Sequence, residues 1–276
     1  MRVLPLARRR PMTRKALWLS AGSLGVITVF AVVAPALAPH DPALPIGVPL
    51  SPPFGDTGVL GTDQVGRDVL SRVLGGMSAS WLAALALVVV IAGVGSLVGV
   101  VAGYLGGWVD RALMALVDFF LALPAAILAV VIAAVLGPSL RNALIAIGVL
   151  SWPYYARLVR AEVRAIAARP HLEAAKLAGN GHLRLMLRHL LPGAWPVILV
   201  TITLDLGGII TMLAGLSFLG LGRPAPAPEL GAMAAQGLPY LLTQWWIPVV
   251  PAVAVTCLAL VANLAGDALR SQLKAQ

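Results

Sequence analysis

The stretch SASWLAALALVVVIAGVGSLVGVVAGY, residues 78–104, contains no charged side chain. A helix needs roughly 20 apolar residues to cross the hydrocarbon core of a bilayer, which is about 30 Å thick. This stretch is long enough, and it predicts a membrane-spanning helix. Glycine recurs at every fourth position, at Gly95, Gly99 and Gly103. That spacing places the three glycines on one helix face, where we expect another helix of the same chain to approach closely.

The composition of the whole chain agrees with this stretch. Its 276 residues are 59% hydrophobic and only 11% charged, with a mean hydropathy of +0.92, whereas soluble proteins carry roughly 25% charged residues. The composition excludes a soluble globule and a disordered chain. The single cysteine, Cys257, excludes a disulfide scaffold. Because it lies in an apolar run, we expect it to pack in the core, as we do Met114 and Met212.

Six apolar stretches predict an all-α integral membrane protein with six transmembrane helices. The predicted spans are residues 16–38, 78–104, 112–136, 140–158, 197–219 and 247–268. The turn at Gly137–Ser139 makes the third and fourth spans a tight hairpin. The first apolar run is longer than the roughly 7–15 residues of a signal-peptide core, so we interpret it as an uncleaved anchor rather than a signal peptide.

The positions of the basic residues predict the orientation. Sixteen of the 20 lysines and arginines lie in four places along the chain. These are the segment before the first span, the loop between the second and third spans, the segment from the end of the fourth span onward to the fifth, and the segment after the sixth. The exceptions are Arg67, Arg72, Arg141 and Arg223. Because Lys and Arg accumulate in cytoplasmic loops, both termini are predicted to be cytoplasmic: a basic segment at 1–15 and a tail at 271–276. The net charge of +9 then reflects membrane topology and not nucleic-acid binding.

The longest predicted outer segment is residues 39–76, which begins with a proline-rich stretch. Its second half, GTDQVGRDVLSRVLGG at 61–76, has apolar residues at helical spacing, and Thr62 or Asp63 can cap a helix. The sequence therefore predicts an interfacial helix over 63–75. Its apolar face would contain Val65, Val69, Leu70, Val73 and Leu74, and its polar face Arg67, Asp68, Ser71 and Arg72.

The longest predicted inner segment contains RPHLEAAKLAGNGHLRLMLRHLLPGAWP, residues 169–196. We expect Pro170 to stop the preceding helix, a short helix over 173–178, and a turn at Gly179–Gly181. A second helix follows, ended by Pro192 and Gly193. Its apolar stripe is Leu183, Met186, Leu187, Leu190 and Leu191. Such an amphipathic plate on the inner membrane surface suits a cytoplasmic partner that pushes on the bundle; the alternative is a surface loop without a partner.

Several motifs carry a family resemblance. Glu173-Ala174-Ala175, then Gly179 and Leu191-Pro192, resemble the EAA loop of ABC-importer permeases, although His189 stands where that pattern tends to have a hydrophobic residue. Four more motifs, in the same order along the chain, are similar to the dipeptide/oligopeptide/nickel permease group. They are LGTDQVGRDVLSR (60–72), GGWVDRALMALVDFFLALP (106–124), LSFLGLG (216–222) and NLAGDALR (263–270).

The resemblance implies the fold and partners of a type I ABC importer permease. Residues 77–270 would be the permease domain, with a coupling loop at 162–195. The implied partners are a homologous permease subunit, two cytoplasmic ATP-binding subunits that hold ATP and Mg²⁺, and an extracytoplasmic binding protein. The outer polar residues Arg67, Asp68 and Arg72 would lie near that binding protein or an outer gate. The implied mechanism is alternating access in a bacterial inner membrane.

The subfamily and substrate follow from shorter stretches. SWPYYARLVR (151–160), AGNGHLRL (178–185) and TLDLG (203–207) resemble the nickel permease subunit most. The expected substrate is therefore nickel or a metal chelate, with dipeptide or oligopeptide as the alternative.

The sequence offers no catalytic or metal-ligand motif. The glycines around Ser217 lack nucleophile-elbow spacing, no span contains a histidine, and His40 is expected in a solvated loop. We therefore expect no enzyme activity and no cofactor on this chain.

One acidic residue lies deep in a predicted span. Asp205 could line the path of a cationic substrate, or it could pair with a hydroxyl or backbone group of a neighbouring helix. Asp110, Asp118 and Asp267 lie near inner helix ends, where we expect structural roles. An ion-coupled carrier would usually need several such deep charges, which argues against that class.

Overall fold

In a computed structural model, residues 14–55 and 57–273 form helices joined by loops, and these residues contain no β-strand. The helices are α1 (Arg14–Val33), α2 (Val69–Leu105), α3 (Gly107–Ala122), α4 (Ala125–Leu136), α5 (Leu140–Ala167), α6 (Pro170–Leu177), α7 (His182–Leu185), α8 (Leu191–Phe218), α9 (Leu230–Gly237) and α10 (Trp246–Leu273). Short 3₁₀ turns occur at Ala34–Leu37 and Leu238–Tyr240. Most of the predicted basic segment 1–15 and half of the predicted tail 271–276 lie outside the described residues.

The glycine stripe of α2 packs directly on α5, as predicted. A Cβ atom built on Gly95 would lie 2.5 Å from the Trp152 carbonyl oxygen, and one on Gly99 would lie 2.7 Å from that of Ala156. On Gly103 the distance to the Arg160 carbonyl oxygen would be 2.9 Å. These distances leave no room for a side chain, so the two helices meet backbone to backbone over about two helical turns.

Within residues 14–55 and 57–273, three continuous helices are long and apolar enough to cross a membrane: Val69–Leu105, His182–Phe218 and Trp246–Arg270. A fourth span results if α3 and α4 are taken together. The predicted first span falls short because its described apolar part is only Leu24–Leu37. Helix α5, the predicted fourth span, carries four arginines and is not apolar enough over the length of a membrane crossing. The all-α membrane architecture is confirmed, and the count of six spans stays a prediction.

The predicted third span, 112–136, is wrong as a single helix. It is broken between α3 and α4, whose axes differ by 87°. Leu123 at the break is extended, with φ −82° and ψ 142°. The cause is Pro124, which disfavours helical geometry at the preceding residue and has no N–H to donate. The predicted turn at Gly137–Ser139 is present, because α4 ends at Leu136 and α5 begins at Leu140.

The predicted interfacial helix over 63–75 is also wrong. Helix α2 begins at Val69, and its N-cap is Asp68, whose carboxylate accepts a hydrogen bond from the Ser71 N–H. Residues 61–68 are irregular because Gly61 and Gly66 have φ of +74° and +87°, which a right-handed helix cannot contain. Val65 lies in this loop with 49% of its surface exposed, and not on an apolar helix face.

The remaining elements complete the bundle around α2, α5 and α8. The buried Trp81 indole donates a hydrogen bond to the Thr28 hydroxyl at 3.1 Å, which fixes α1 on α2. Helix α9, which the sequence did not predict, packs so closely on α8 that a Cβ atom on Gly231 would lie 2.2 Å from the Ala214 carbonyl oxygen. Cys257 is exposed on α10, so its predicted place in the core is wrong for this chain alone.

The glycine stripe generates a stability prediction. Gly99→Ala places a methyl group against the α5 backbone, and we expect it to destabilise the protein by about 1–3 kcal/mol, the usual cost of overpacking. The measurement is the temperature at which the detergent-extracted protein loses its monodisperse peak in size-exclusion chromatography.

Gly93→Ala is the matched control. Gly93 lies on the same helix, and a Cβ atom there would meet nothing within 4 Å. We expect this variant to be as stable as the wild type or more so, because alanine is favoured over glycine in a helix by about 1 kcal/mol. Equal loss of stability in both variants would contradict the close approach of α2 and α5.

Candidate functional site

The inner loop after α5 forms a short helix and a tight turn. Helix α6 runs from Pro170 to Leu177 and is held to the bundle by the fully buried Leu172. Glu173 and Ala174 are exposed on it, and Ala175 is half-buried. The predicted turn is present: Gly179 has φ +81°, and the Asn180 side-chain amide donates to the Ala175 carbonyl oxygen at 2.9 Å. Together these residues present an exposed acidic and small-residue surface.

The predicted second helix of this loop does not end at Pro192 and Gly193. It runs from α7 through a π-helical turn, Met186–Leu190, into α8. In that turn the Leu191 N–H bonds to the Met186 carbonyl oxygen, five residues back. Pro192 lies inside this continuous helix and has no N–H to donate to the preceding turn, and the π-helical turn lies directly before it.

The apolar stripe predicted for this helix is only partly buried. Leu190 is buried and Leu191 is half-buried, whereas Leu183 and Leu187 are 67% and 53% exposed. The fully buried Leu185, outside the predicted stripe, takes their place. The π-helical turn explains the difference, because it rotates the residues before it relative to those after it.

Two ion-pair groups fasten α3 to α5 near the loop. The carboxylate of the buried Asp110 accepts hydrogen bonds from the guanidinium groups of Arg160, at 2.7 Å, and Arg164. Asp118 pairs with Arg157 at an exposed position. The predicted structural roles of Asp110 and Asp118 agree with these contacts. Asp110 fixes the start of α3, and Asp118 its later part, on the half of α5 that leads into the loop.

Asp205 faces both a neighbouring helix and a cavity. It lies on α8 and is half-buried; its carboxylate oxygen Oδ2 accepts a hydrogen bond from the hydroxyl of Tyr155 on α5 at 3.1 Å. A cavity of about 300 Å³ is lined by Asp205 together with Tyr154, Thr201 and Leu204. The sequence left two alternatives for Asp205, a place in the substrate path and a hydroxyl partner on a neighbouring helix. The structure shows the hydroxyl partner, and it also places Asp205 beside an open space.

A group of charged side chains lies at the start of α2. We call Asp63, Arg67 and Arg72 the outer cluster. All three side chains are buried. The Asp63 carboxylate accepts from the Arg67 Nε at 2.8 Å and lies 3.4 Å from the Arg72 Nε. Arg72 also donates to the carbonyl oxygens of Pro42 and Pro226. The cluster therefore joins the outer loop to the segment between α8 and α9.

The outer polar residues are placed differently from the prediction. Arg67, Asp68 and Arg72 were expected on an exposed helix face, but each is at most 6% exposed. Asp68 accepts from the backbone N–H of Ser71, and the His40 ring nitrogen Nδ1 lies 3.5 Å from its carboxylate. These residues are buried because the preceding loop, which includes His40 and Pro42, folds over the start of α2. The spacing of residues along one helix cannot predict such a contact.

Sequence reasoning missed two partners. Asp63 was considered only as a helix cap, although its spacing of four residues from Arg67 is a signal for an ion pair. Tyr155 gave no local signal, because it lies 50 residues from Asp205 and meets it only in the folded chain. Among the described residues, no three His, Cys, Asp or Glu side chains are grouped so that they could hold a metal ion.

The chain is similar to several peptide and nickel permeases. It is 38% identical to the probable D,D-dipeptide transport system permease protein DdpC of Escherichia coli, over 98% of this chain and 94% of that protein. It is 39% identical to the di/tripeptide transport system permease protein DppC of Pseudomonas aeruginosa, over 95% and 92%. Identity to the nickel transport system permease protein NikC of Escherichia coli is also 39%, over 78% and 77%.

A solved structure supports the fold. The inward-facing MetNI methionine ABC transporter contains a chain that superposes with a TM-score of 0.53 and 21% identity, over 73% of this chain and 96% of that one. This similarity confirms the type I ABC importer permease fold. Residues 95–275 match the family described as the binding-protein-dependent transport system inner membrane component. The chain therefore belongs to this family of ABC-importer permeases, within its dipeptide/oligopeptide/nickel group.

Proposed function

We propose that the chain is one of two permease subunits of an ATP-driven peptide importer in a bacterial inner membrane. The observation that carries the proposal is the extent of similarity: relatives named for dipeptides and di/tripeptides align over at least 90% of this chain. The nickel permease aligns over 78%. The nickel substrate expected from short motifs is therefore less well supported than its peptide alternative.

In this proposal the inner loop, residues 162–195, is the coupling loop. Glu173 and Ala174 are exposed on α6, and the turn at Gly179 presents them away from the bundle. Short side chains suit close insertion into a groove of an ATP-binding subunit, which carries ATP and Mg²⁺. Leu191 and Pro192 begin α8, so a displacement of the loop passes directly into that helix. The termini and this loop are cytoplasmic in the orientation that the basic residues favour.

Asp205 supplies a contact for the substrate in the path between two permease subunits. A peptide carries a protonated amino group, and the half-buried carboxylate lines a cavity large enough for a small ligand. Its hydroxyl partner Tyr155 is neutral, so the negative charge of Asp205 is left for a cation. The outer cluster and Asp68 hold the outer loop in place, and we propose that they support the outer gate and the docking of the binding protein.

The substrate assignment predicts peptide uptake. Cells that lack their own peptide importers and require an amino acid should grow on a dipeptide containing it when they express this chain with its partner subunits. Growth should be lost when the ATP-binding subunits are omitted. Uptake of radioactive nickel without any peptide-dependent growth would contradict the assignment and favour the metal alternative.

The coupling loop predicts a strong effect of Gly179→Val. A β-branched residue at φ +81° carries a steric penalty on the order of 1–2 kcal/mol, and its side chain obstructs the groove. We expect the protein to insert normally, to recover the ATP-binding subunits poorly in a pull-down, and to lose uptake. Glu173→Ala should be milder because the turn survives.

Two variants serve as controls for Gly179→Val. Gly181→Val places the same side chain two residues away, where φ is −67° and no strain arises. Gly179→Asn keeps a residue that tolerates positive φ. Both should retain more of the ATP-binding subunits than Gly179→Val does. Normal pull-down together with normal uptake for Gly179→Val would refute the loop assignment.

The path assignment predicts a charge-dependent effect at Asp205. Asp205→Asn keeps the shape and the contact with Tyr155 but removes the negative charge, so uptake should fall while the complex still assembles. The loss should be smaller for an N-acetylated peptide, which lacks the cationic amino group. Tyr155→Phe, which keeps the charge, is the control. If Asp205→Asn fails to accumulate in the membrane, the structural alternative is correct.

A further inference from the structure

At its inner end, α2 contacts the turn of the coupling loop through the side chain of Tyr104. The hydroxyl of Tyr104, the second-last residue of α2, shares a hydrogen bond of 2.9 Å with the His182 ring nitrogen Nδ1. The two rings are 5.6 Å apart at their centroids. The Lys176 ammonium lies 5.4 Å from the centroid of the Tyr104 ring, within the range of a cation–π interaction. Tyr104 therefore contacts the loop on both sides of its turn.

The turn that Tyr104 contacts is closed by its own hydrogen bonds. The Asn180 side chain and backbone both donate to the Ala175 carbonyl oxygen, at 2.9 and 3.4 Å. Lys176 on α6 and His182 on α7 are thus held relative to each other. A cavity of about 370 Å³ lies beside them, lined by Tyr104, Leu105, Lys176, Asn180, His182 and Leu185. The contact between Tyr104 and His182 therefore borders an open cavity and is not enclosed by side chains on that side.

The other end of this connection is the α2–α5 pair. Gly99 and Gly103 bring α2 against the α5 backbone with no space for a side chain, so the two helices cannot slide past one another without a clash. Helix α5 carries Tyr155, which bonds Asp205. A displacement applied to Tyr104 is therefore transmitted along the pair to the cavity at Asp205.

We infer that Tyr104 is a positioning residue that ties the coupling loop to α2, so that the ATP-driven movement of the loop displaces the α2–α5 pair together with α8. The inference rests on the proposed function of the loop. The chain already connects the loop to α5 and α8, and Gly103 of α2 packs on Val163 where the loop begins. Tyr104 adds an attachment between α2 and the turn of the loop. Without it, ATP-binding subunits still dock on the exposed face of α6, but the turn can pivot at the extended Arg169 between α5 and α6. Part of the stroke then does not reach the α2–α5 pair, and transport per ATP falls.

The test uses the complete transporter in proteoliposomes, with both permease subunits, the ATP-binding subunits and the binding protein. Dipeptide uptake and ATP hydrolysis are measured together. Tyr104→Phe removes the hydroxyl and keeps the ring beside Lys176; we expect dipeptide transported per ATP to fall roughly two- to ten-fold, the usual range for one hydrogen bond. Tyr104→Leu removes both contacts and should reduce the ratio further. Recovery of the ATP-binding subunits should remain normal in both variants.

A double variant separates this contact from a general structural effect. If Tyr104 acts through His182, the combination of Tyr104→Phe with His182→Leu should lower the ratio no further than either change alone. Tyr240→Phe, which removes a tyrosine hydroxyl from the 3₁₀ turn Leu238–Tyr240 outside the loop, is the matched control and should leave the ratio unchanged.

The inference would be overturned by an unchanged ratio in Tyr104→Leu, or by losses that multiply in the double variant. Loss of the ATP-binding subunits from Tyr104→Leu would also overturn it, because Tyr104 would then serve docking. Failure of the proposed function is distinguishable, since the wild-type complex itself would show no dipeptide uptake.

Discussion

The backbone contact between α2 and α5 is the constraint on which the rest of the structure depends. In a bilayer, apolar side chains gain little by leaving lipid for another helix, so helices associate through close packing and hydrogen bonds. Gly95, Gly99 and Gly103 allow that packing by removing the side chains that would hold the backbones apart. The resulting pair is a rigid unit with a polar group at each end. The outer cluster lies at one end of α2, and Tyr104 with the coupling loop lies at the other.

The buried carboxylates Asp63 and Asp110 are paired with arginines, as the energetic cost of burying a charge requires. Asp63 is neutralised by Arg67 and Arg72, and Asp110 by Arg160 and Arg164, because an unpaired buried charge is strongly destabilising. Both groups join segments that are distant in sequence. Asp205 is different, since its hydrogen-bond partner is a neutral tyrosine hydroxyl. This contrast underlies the proposal that Asp205 contacts the substrate, whereas Asp63 and Asp110 hold the fold.

The coupling loop combines an exposed surface with firm attachment. Leu172 and Leu185 anchor it in the bundle, while Glu173 and Ala174 remain open to a partner. Its continuity with α8 through a π-helical turn gives it a direct mechanical connection to the helix that carries Asp205. In the proposed importer, a single rigid path therefore runs from the ATP-binding subunits to the substrate cavity.

The sequence by itself determined the membrane class, the apolar segments, the glycine contact and the turn at Gly179, because hydropathy, residue spacing and backbone preference are local properties. Its motifs also identified the family. The tertiary structure alone decided that Arg67, Asp68 and Arg72 are buried, that Tyr155 meets Asp205, and that Tyr104 meets His182, since each depends on segments far apart in the chain. Two local signals were outweighed: apolar spacing over 63–75 yielded to the turn at Gly66, and the long run 112–136 yielded to Pro124. In the first, glycines that accept a positive φ, and in the second, a proline with a fixed φ, overrode a pattern summed over many side chains.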